Sequence, residues 1–166
     1  MGVARILLLA TLFLIPCVTA VIAAPKGSGL PLPRFVSLQS TEANLRTGPG
    51  LQYPIAWIYR RAELPLEVIA EYRTWRKVRD WQGTAGWMHQ SMLSGQRTLI
   101  VTAERSAIQE GPEPASPIIA IAENGVIGRL LFCPQEGSLC QAELRGRRGW
   151  IGRDTFWGMH PDEALE

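Results

Sequence analysis

Two histidines, His89 and His160, and three cysteines, Cys17, Cys133 and Cys140, are the side chains best suited to nucleophilic, general-base or metal chemistry in this 166-residue chain. Such chemistry needs partners: a base beside a nucleophile, a carboxylate behind a base, or a second pair of ligands to complete a metal site. Neither histidine has a carboxylate or a cysteine at a spacing that defines a known arrangement. No nucleophile elbow, phosphate loop or His-Glu zinc signature occurs either. The expectation is a non-enzymatic protein with no catalytic residues, no metal and no cofactor. His89, in Trp87-Met88-His89-Gln90, reads as a surface residue at the end of a strand. His160 reads as part of a C-terminal stretch beside Pro161, where disorder is as good an account as function.

Aromatic side chains are the remaining candidates. Tyr53, Trp57, Tyr59, Tyr72, Trp75, Trp81 and Trp87 concentrate in the first half, whereas the second keeps Phe132, Trp150, Phe156 and Trp157. In a small β domain most aromatics fill the core. Strand parity marks an exception: if Val78 points inward, Trp75, Lys77, Arg79 and Trp81 share the outward face. Two tryptophans interleaved with two basic residues suit an extended peptide or a carboxylate-bearing ligand, or else a neighbouring domain.

The elements that position these residues follow an N-terminal targeting segment. Met1 to Arg5 supplies one positive charge, and of the ten residues from Ile6 to Ile15 only Thr11 is polar. Small residues at Ala20, Ala23 and Ala24 place cleavage after Ala23 or after Ala20. Residues 1–23 thus read as a signal peptide and the protein as periplasmic or secreted, touching the membrane only transiently through this segment. The competing reading is an uncleaved anchor in the inner membrane, interrupted by Pro16 and Thr19. Leu14-Ile15-Pro16-Cys17 departs from a lipoprotein site, because Pro16 stands where a small residue is needed. Residues 24–34, with Pro25, Gly27, Gly29, Pro31 and Pro33, form a flexible leader.

Export gives the cysteines a meaning. Cys17 leaves with the signal, so Cys133 and Cys140 remain in an oxidising compartment and can pair across the hairpin loop Pro134 to Leu139. Such a bridge stabilises a small core by roughly 2.5 kcal/mol in the chain-entropy model. Charge excludes a general nucleic-acid binder, since the whole chain is formally +2. The halves differ in sign: Thr41 to Gly95 carries seven basic and five acidic residues, Glu104 to Glu163 six and nine. Two folded units could dock on that basis, though solvated faces account for it equally.

The chain repeats itself. Asn44-Leu45-Arg46-Thr47-Gly48-Pro49-Gly50 lies over Ala107-Ile108-Gln109-Glu110-Gly111-Pro112-Glu113 at an offset of 63 residues. The same offset carries Pro54-Ile55 onto Pro117-Ile118 and Gly86-Trp87 onto Gly149-Trp150, while 64 serves better for Trp75-Arg76-Lys77-Val78 over Leu139-Cys140-Gln141-Ala142. A one-residue insertion and a compensating deletion are implied. Leu64, Leu66, Val68 and Ala70 alternate with Glu67, Ile69 and Glu71 as a strand should, and glycines mark turns at Gln82-Gly83, Asn124-Gly125 and Gly146. The fold class expected is all-β, with five or so short strands in each of two tandem small barrels, residues 35–97 and 98–160, and a tail 161–166.

Ala43 to Gly50, Trp75-Arg76-Lys77-Val78 and Gly83-Thr84-Ala85-Gly86-Trp87-Met88 resemble the bacterial SH3-like domain in motif, order and spacing. The second copy is similar to a diverged member, with Ser116, Ala120, Ala122 and Leu139 where the first has Tyr53, Trp57, Tyr59 and Trp75. The resemblance implies an aromatic-lined groove beside the loop after the opening strand. In the first copy it would use Tyr53, Trp57, Tyr59 and Trp75, joined by Lys77 and Trp81 from the outward face that strand parity gives, to hold a peptide, a cell-wall (peptidoglycan) component or an envelope protein partner. The second copy would bind poorly. The alternative is an accessory scaffold subunit of an envelope complex, with the two barrels docked together.

Overall fold

The computed structural model describes residues 27–113 and 115–166. The signal, its cleavage site and the first part of the leader lie outside these residues. Strand makes up 51% of the described residues and helix 4%. The first unit contains β1 (Arg34–Leu38), β2 (Ala43–Arg46), β3 (Ile55–Tyr59), β4 (Pro65–Tyr72), β5 (Trp75–Arg79), β6 (Ala85–His89) and β7 (Leu93–Ser94). The second contains β8 (Thr98–Val101), β9 (Arg105–Gln109), β10 (Ile118–Glu123), β11 (Ile127–Phe132), β12 (Leu139–Leu144), β13 (Arg147–Gly152) and β14 (Phe156–Trp157). A short 3₁₀ turn precedes β7 and another precedes β14. The two-residue strands β7 and β14 are too short to show a period, which accounts for one of the strands by which each unit exceeds the five or so expected.

The repeat is now visible as topology. The first antiparallel sheet runs β3-β2-β6-β5-β4-β1-β7 and the second β10-β9-β13-β12-β11-β8-β14, the same order. Register makes the correspondence residue-specific. Val78 faces Gly86 as Ala142 faces Gly149, and Trp75 faces His89 as Leu139 faces Gly152. Both Gly86 and Gly149 let the preceding repeat strand come close: a Cβ on Gly86 would lie 2.6 Å from Leu45 and 2.8 Å from the Arg46 carbonyl, and on Gly149 2.4 Å from Ile108 and 2.9 Å from the Gln109 carbonyl. This contact is the physical content of the repeated Gly-Trp motif.

The length changes between copies are more numerous than one insertion and one deletion. Glu67–Arg79 corresponds to Arg129–Glu143, and the bulge between Val68 and Ala70 recurs between Leu130 and Phe132. Counting from there, the second copy has lost a residue before β11 and gained two in the β11–β12 loop. It has then lost one in the β12–β13 turn, where Leu144 to Arg147 replaces the longer Asp80 to Thr84 loop.

Each sheet curls around its own core, built on Leu45, Leu66, Val68, Val78 and Met88 in the first unit and Leu99, Ile108, Ala142 and Ile151 in the second. Cys133 and Cys140 form a disulfide in the second core. The tail folds back: Leu165 exchanges two backbone hydrogen bonds with Cys133.

The two units are packed on each other. Ile100, Ile127 and Trp157 of the second lie against the first core, and Phe35 meets the Trp157 ring edge-on with centroids 4.8 Å apart. His160, far from being free, packs on Phe35 at 4.9 Å and sits 3.7 Å from the buried carboxylate of Glu67. Arg97 grips Glu163 through both nitrogens of its fork while lying over the Phe35 ring. Burial pushes the Glu163 carboxyl up, but Arg97 and the His160 amide outweigh it and hold it below the usual range. At the other side of the junction Arg129 donates to Glu63 at 2.6 and 3.0 Å.

Candidate functional site

Beside the first unit's β2–β3 loop lies a groove of about 1000 Å³. The β4–β5 turn forms its opposite wall, and the segment after β6 closes one end. Tyr53, Tyr72, Arg73, Trp75 and His89 give it character, and no Asp or Glu lines it. The loop owes its shape to local chemistry. Arg46 donates to the carbonyls of Leu51 at 3.2 Å and Tyr53 at 2.8 Å, tying the loop back to β2. Tyr53 lies directly over Gly48, where any Cβ would come within 2.4 Å of its ring.

The opposite wall is fixed by register. Tyr72 pairs with Trp75 across the β4–β5 hairpin, and Trp75 pairs with His89 across β5–β6. The Trp75 and His89 rings meet edge-on, centroids 5.5 Å apart at 80°. His89 Nδ1 accepts from the Ser91 amide at 3.3 Å and lies 2.8 Å from the Ser91 hydroxyl, so the neutral ring carries its proton on Nε2. Arg73 stands 5.6 Å from the centre of the Tyr72 ring. The arrangement offers three aromatic rings, a guanidinium and an imidazole N–H: stacking surfaces with hydrogen-bond donors, suited to carbonyl- and carboxylate-rich ligands.

Of the six residues expected to contact a ligand, the structure brings Tyr53 and Trp75 together in this groove. Lys77 lies on the same outward face of β5 as Trp75, opposite Trp87, outside the groove lining. Trp57 is 55% exposed on the edge strand β3, also away from it. Tyr59 needs correction: it is 5% exposed and its hydroxyl donates to Asp80 at 2.9 Å, so it is a core residue. Burial, and then the neighbouring Asp80 carboxylate, raise its pKa well above the ordinary phenol value. Trp81 is also corrected, because the chain leaves the strand at Asp80, whose carboxylate accepts from the Gln82 and Thr84 amides, and Trp81 turns back onto the core. Tyr72, Arg73 and His89 are the groove residues that sequence reasoning missed. The signal for His89 was present, since a hairpin turn at Gln82-Gly83 sets it opposite Trp75.

Register also locates the counterparts. Leu139 and Gly152 stand where the first unit has Trp75 and His89. The second unit therefore lacks this aromatic wall. Among the described residues no group of three His, Cys, Asp or Glu side chains is placed to hold a metal ion.

Residues 39–95 match the family model of the bacterial SH3 domain, and the first unit is a bacterial SH3 domain. The second unit lies outside that match and shares the strand order described above. No curated protein sequence matches the chain. Among solved structures it is similar to NlpC2 from Trichomonas vaginalis, at 14% identity over 76% of this chain and 48% of that one, with a TM-score of 0.35. It is also similar to NlpC1 from the same organism, at 12% identity over 85% and 51%, with a TM-score of 0.35. The chain spans about half the length of either structure.

Proposed function

We propose that the protein is an exported, non-catalytic binding module of the cell envelope whose first unit holds a peptide ligand. The ligand is either the peptide part of the cell wall or an extended segment of a partner protein. The observation that carries this reading is the groove in which Tyr53, Tyr72, Trp75 and His89 converge beside Arg73 without a lining carboxylate. Peptide carbonyls and carboxylates match its donors, and side chains or the peptide plane stack on its rings. Charge supports the exclusion of nucleic acid, because the chain as a whole is only +2.

A second reading has a specific observation behind it. The junction of Phe35, Trp157, His160, Arg97 and Glu163 holds the two units in one arrangement, as an accessory scaffold for an envelope complex would require. Incubating the protein with purified cell-wall sacculi and, separately, with solubilised membrane proteins distinguishes the two. Retention on sacculi supports the binding module, and retention on membrane proteins alone supports the scaffold.

A further inference from the structure

We propose that the second unit carries a ligand pocket of its own, which receives an aromatic side chain lying next to a carboxylate on a segment of a partner protein. The pocket is independent of the first-unit groove and arises from three substitutions between the copies. In the first unit Tyr59 reaches across the core to Asp80. Register places Ala122 where Tyr59 stands, since Ser106 faces Ala122 as Ala43 faces Tyr59. It places Leu144 where Asp80 stands, directly after Glu143, which faces Arg148 as Arg79 faces Ala85. Ala120 likewise takes the position of Trp57, facing Ile108 as Trp57 faces Leu45.

With the phenol and indole gone, the second unit has a recess of about 380 Å³ lined by Ile108, Ala120, Ala122, Val126 and Leu144. That volume is at the small end of ligand sites, enough for one side chain and its flanking atoms. The same backbone frame encloses a phenol ring in the first unit, so its shape suits an aromatic group. An aromatic insert restores the dispersion contacts that a smaller lining forgoes. Arg145 and Arg147 flank the turn at the rim, and neither side chain has a hydrogen bond or ion pair among the described residues. Glu123 is the carboxylate at that edge. Two guanidiniums against one carboxylate leave the rim positive and favour an anionic group beside the ring. A second copy of this chain fits badly: its exposed Trp57 is followed by Arg60 and Arg61, of the same sign as the rim.

The test is a titration of the isotopically labelled protein with N-acetyl-tyrosine and with N-acetyl-tyrosinamide, followed by methyl NMR. N-acetyl-tyrosine should shift the Ile108, Val126 and Leu144 methyl signals saturably at roughly millimolar concentration. The uncharged amide should bind about tenfold more weakly, as should N-acetyl-tyrosine to Arg147→Gln, through loss of a charged hydrogen bond. Ala122→Phe should fill the recess and abolish the shifts. The proposal is overturned if no saturable shift occurs, or if the shifts fall only around Trp75. Unchanged binding by a folded Ala122→Phe and by Arg147→Gln would also overturn it.

Discussion

Glu71 Oε1 lies 3.1 Å from Arg76 Nε across the β4–β5 hairpin, and the corresponding pair in the second unit is Cys133 and Cys140. One position in the repeat is thus closed by an ion pair in one copy and by a covalent bond in the other. The first unit adds to its pair: Glu71 accepts from Arg34 at 2.5 Å and from the Ser28 hydroxyl at 2.7 Å, which also anchors the segment before β1. The second unit has a longer loop here, and the disulfide offsets the entropy of that loop.

Reducing the disulfide, or replacing Cys133 and Cys140 together by alanine, should destabilise the second unit by about 2.5 kcal/mol. Hydrogen exchange should show the loss at Cys140 and Ala142 amides in the reduced protein while Val78 and Met88 stay protected. Equal loss in both units would mean that the bridge supports the whole chain.

Stability should fall in acid through Glu71. Desolvation pushes its carboxyl up, but the Ser28 hydroxyl and amide and the Arg34 guanidinium prevail and hold it at about 2 against an ordinary value of 4.5. A carboxyl lowered by folding adds stability that is complete above its unfolded value and is lost as pH drops toward its folded value. The thermal midpoint should therefore decline between about pH 4.5 and pH 2, and less steeply in Glu71→Gln. Identical acid profiles would contradict this role.

Tyr59→Phe should cost about 1–3 kcal/mol, because it leaves the buried Asp80 oxygen without its donor. Ligand retention, corrected for folded fraction, should not change. A binding loss without a stability loss would restore Tyr59 to the groove.

Much of this architecture was legible in sequence. Val78 fixed the parity of β5, so Trp75 and Lys77 were correctly placed outward, and the Gly86-Trp87 and Gly149-Trp150 pairs set the repeat. Tyr59 was misplaced because Ile55 to Tyr59 is apolar throughout, and on an edge strand composition does not say where the core stops. The lost residue before β11 went unseen because β4 and β11 share a bulge but almost no residue types. Tyr72 and His89 enter the groove only through hairpin register, and His160 is held by Phe35 and Glu67 from the other unit, a contact no local pattern announces.

The most direct test of the central claim is retention on purified sacculi of Tyr53→Ala and Trp75→Ala, measured alongside their thermal midpoints. Both side chains are partly exposed in the groove, so removing either should leave the midpoint close to that of the parent. Each should nevertheless reduce retention about tenfold or more, the effect of losing one stacking surface with its contacts. Normal retention by both folded variants would contradict the groove as the binding site.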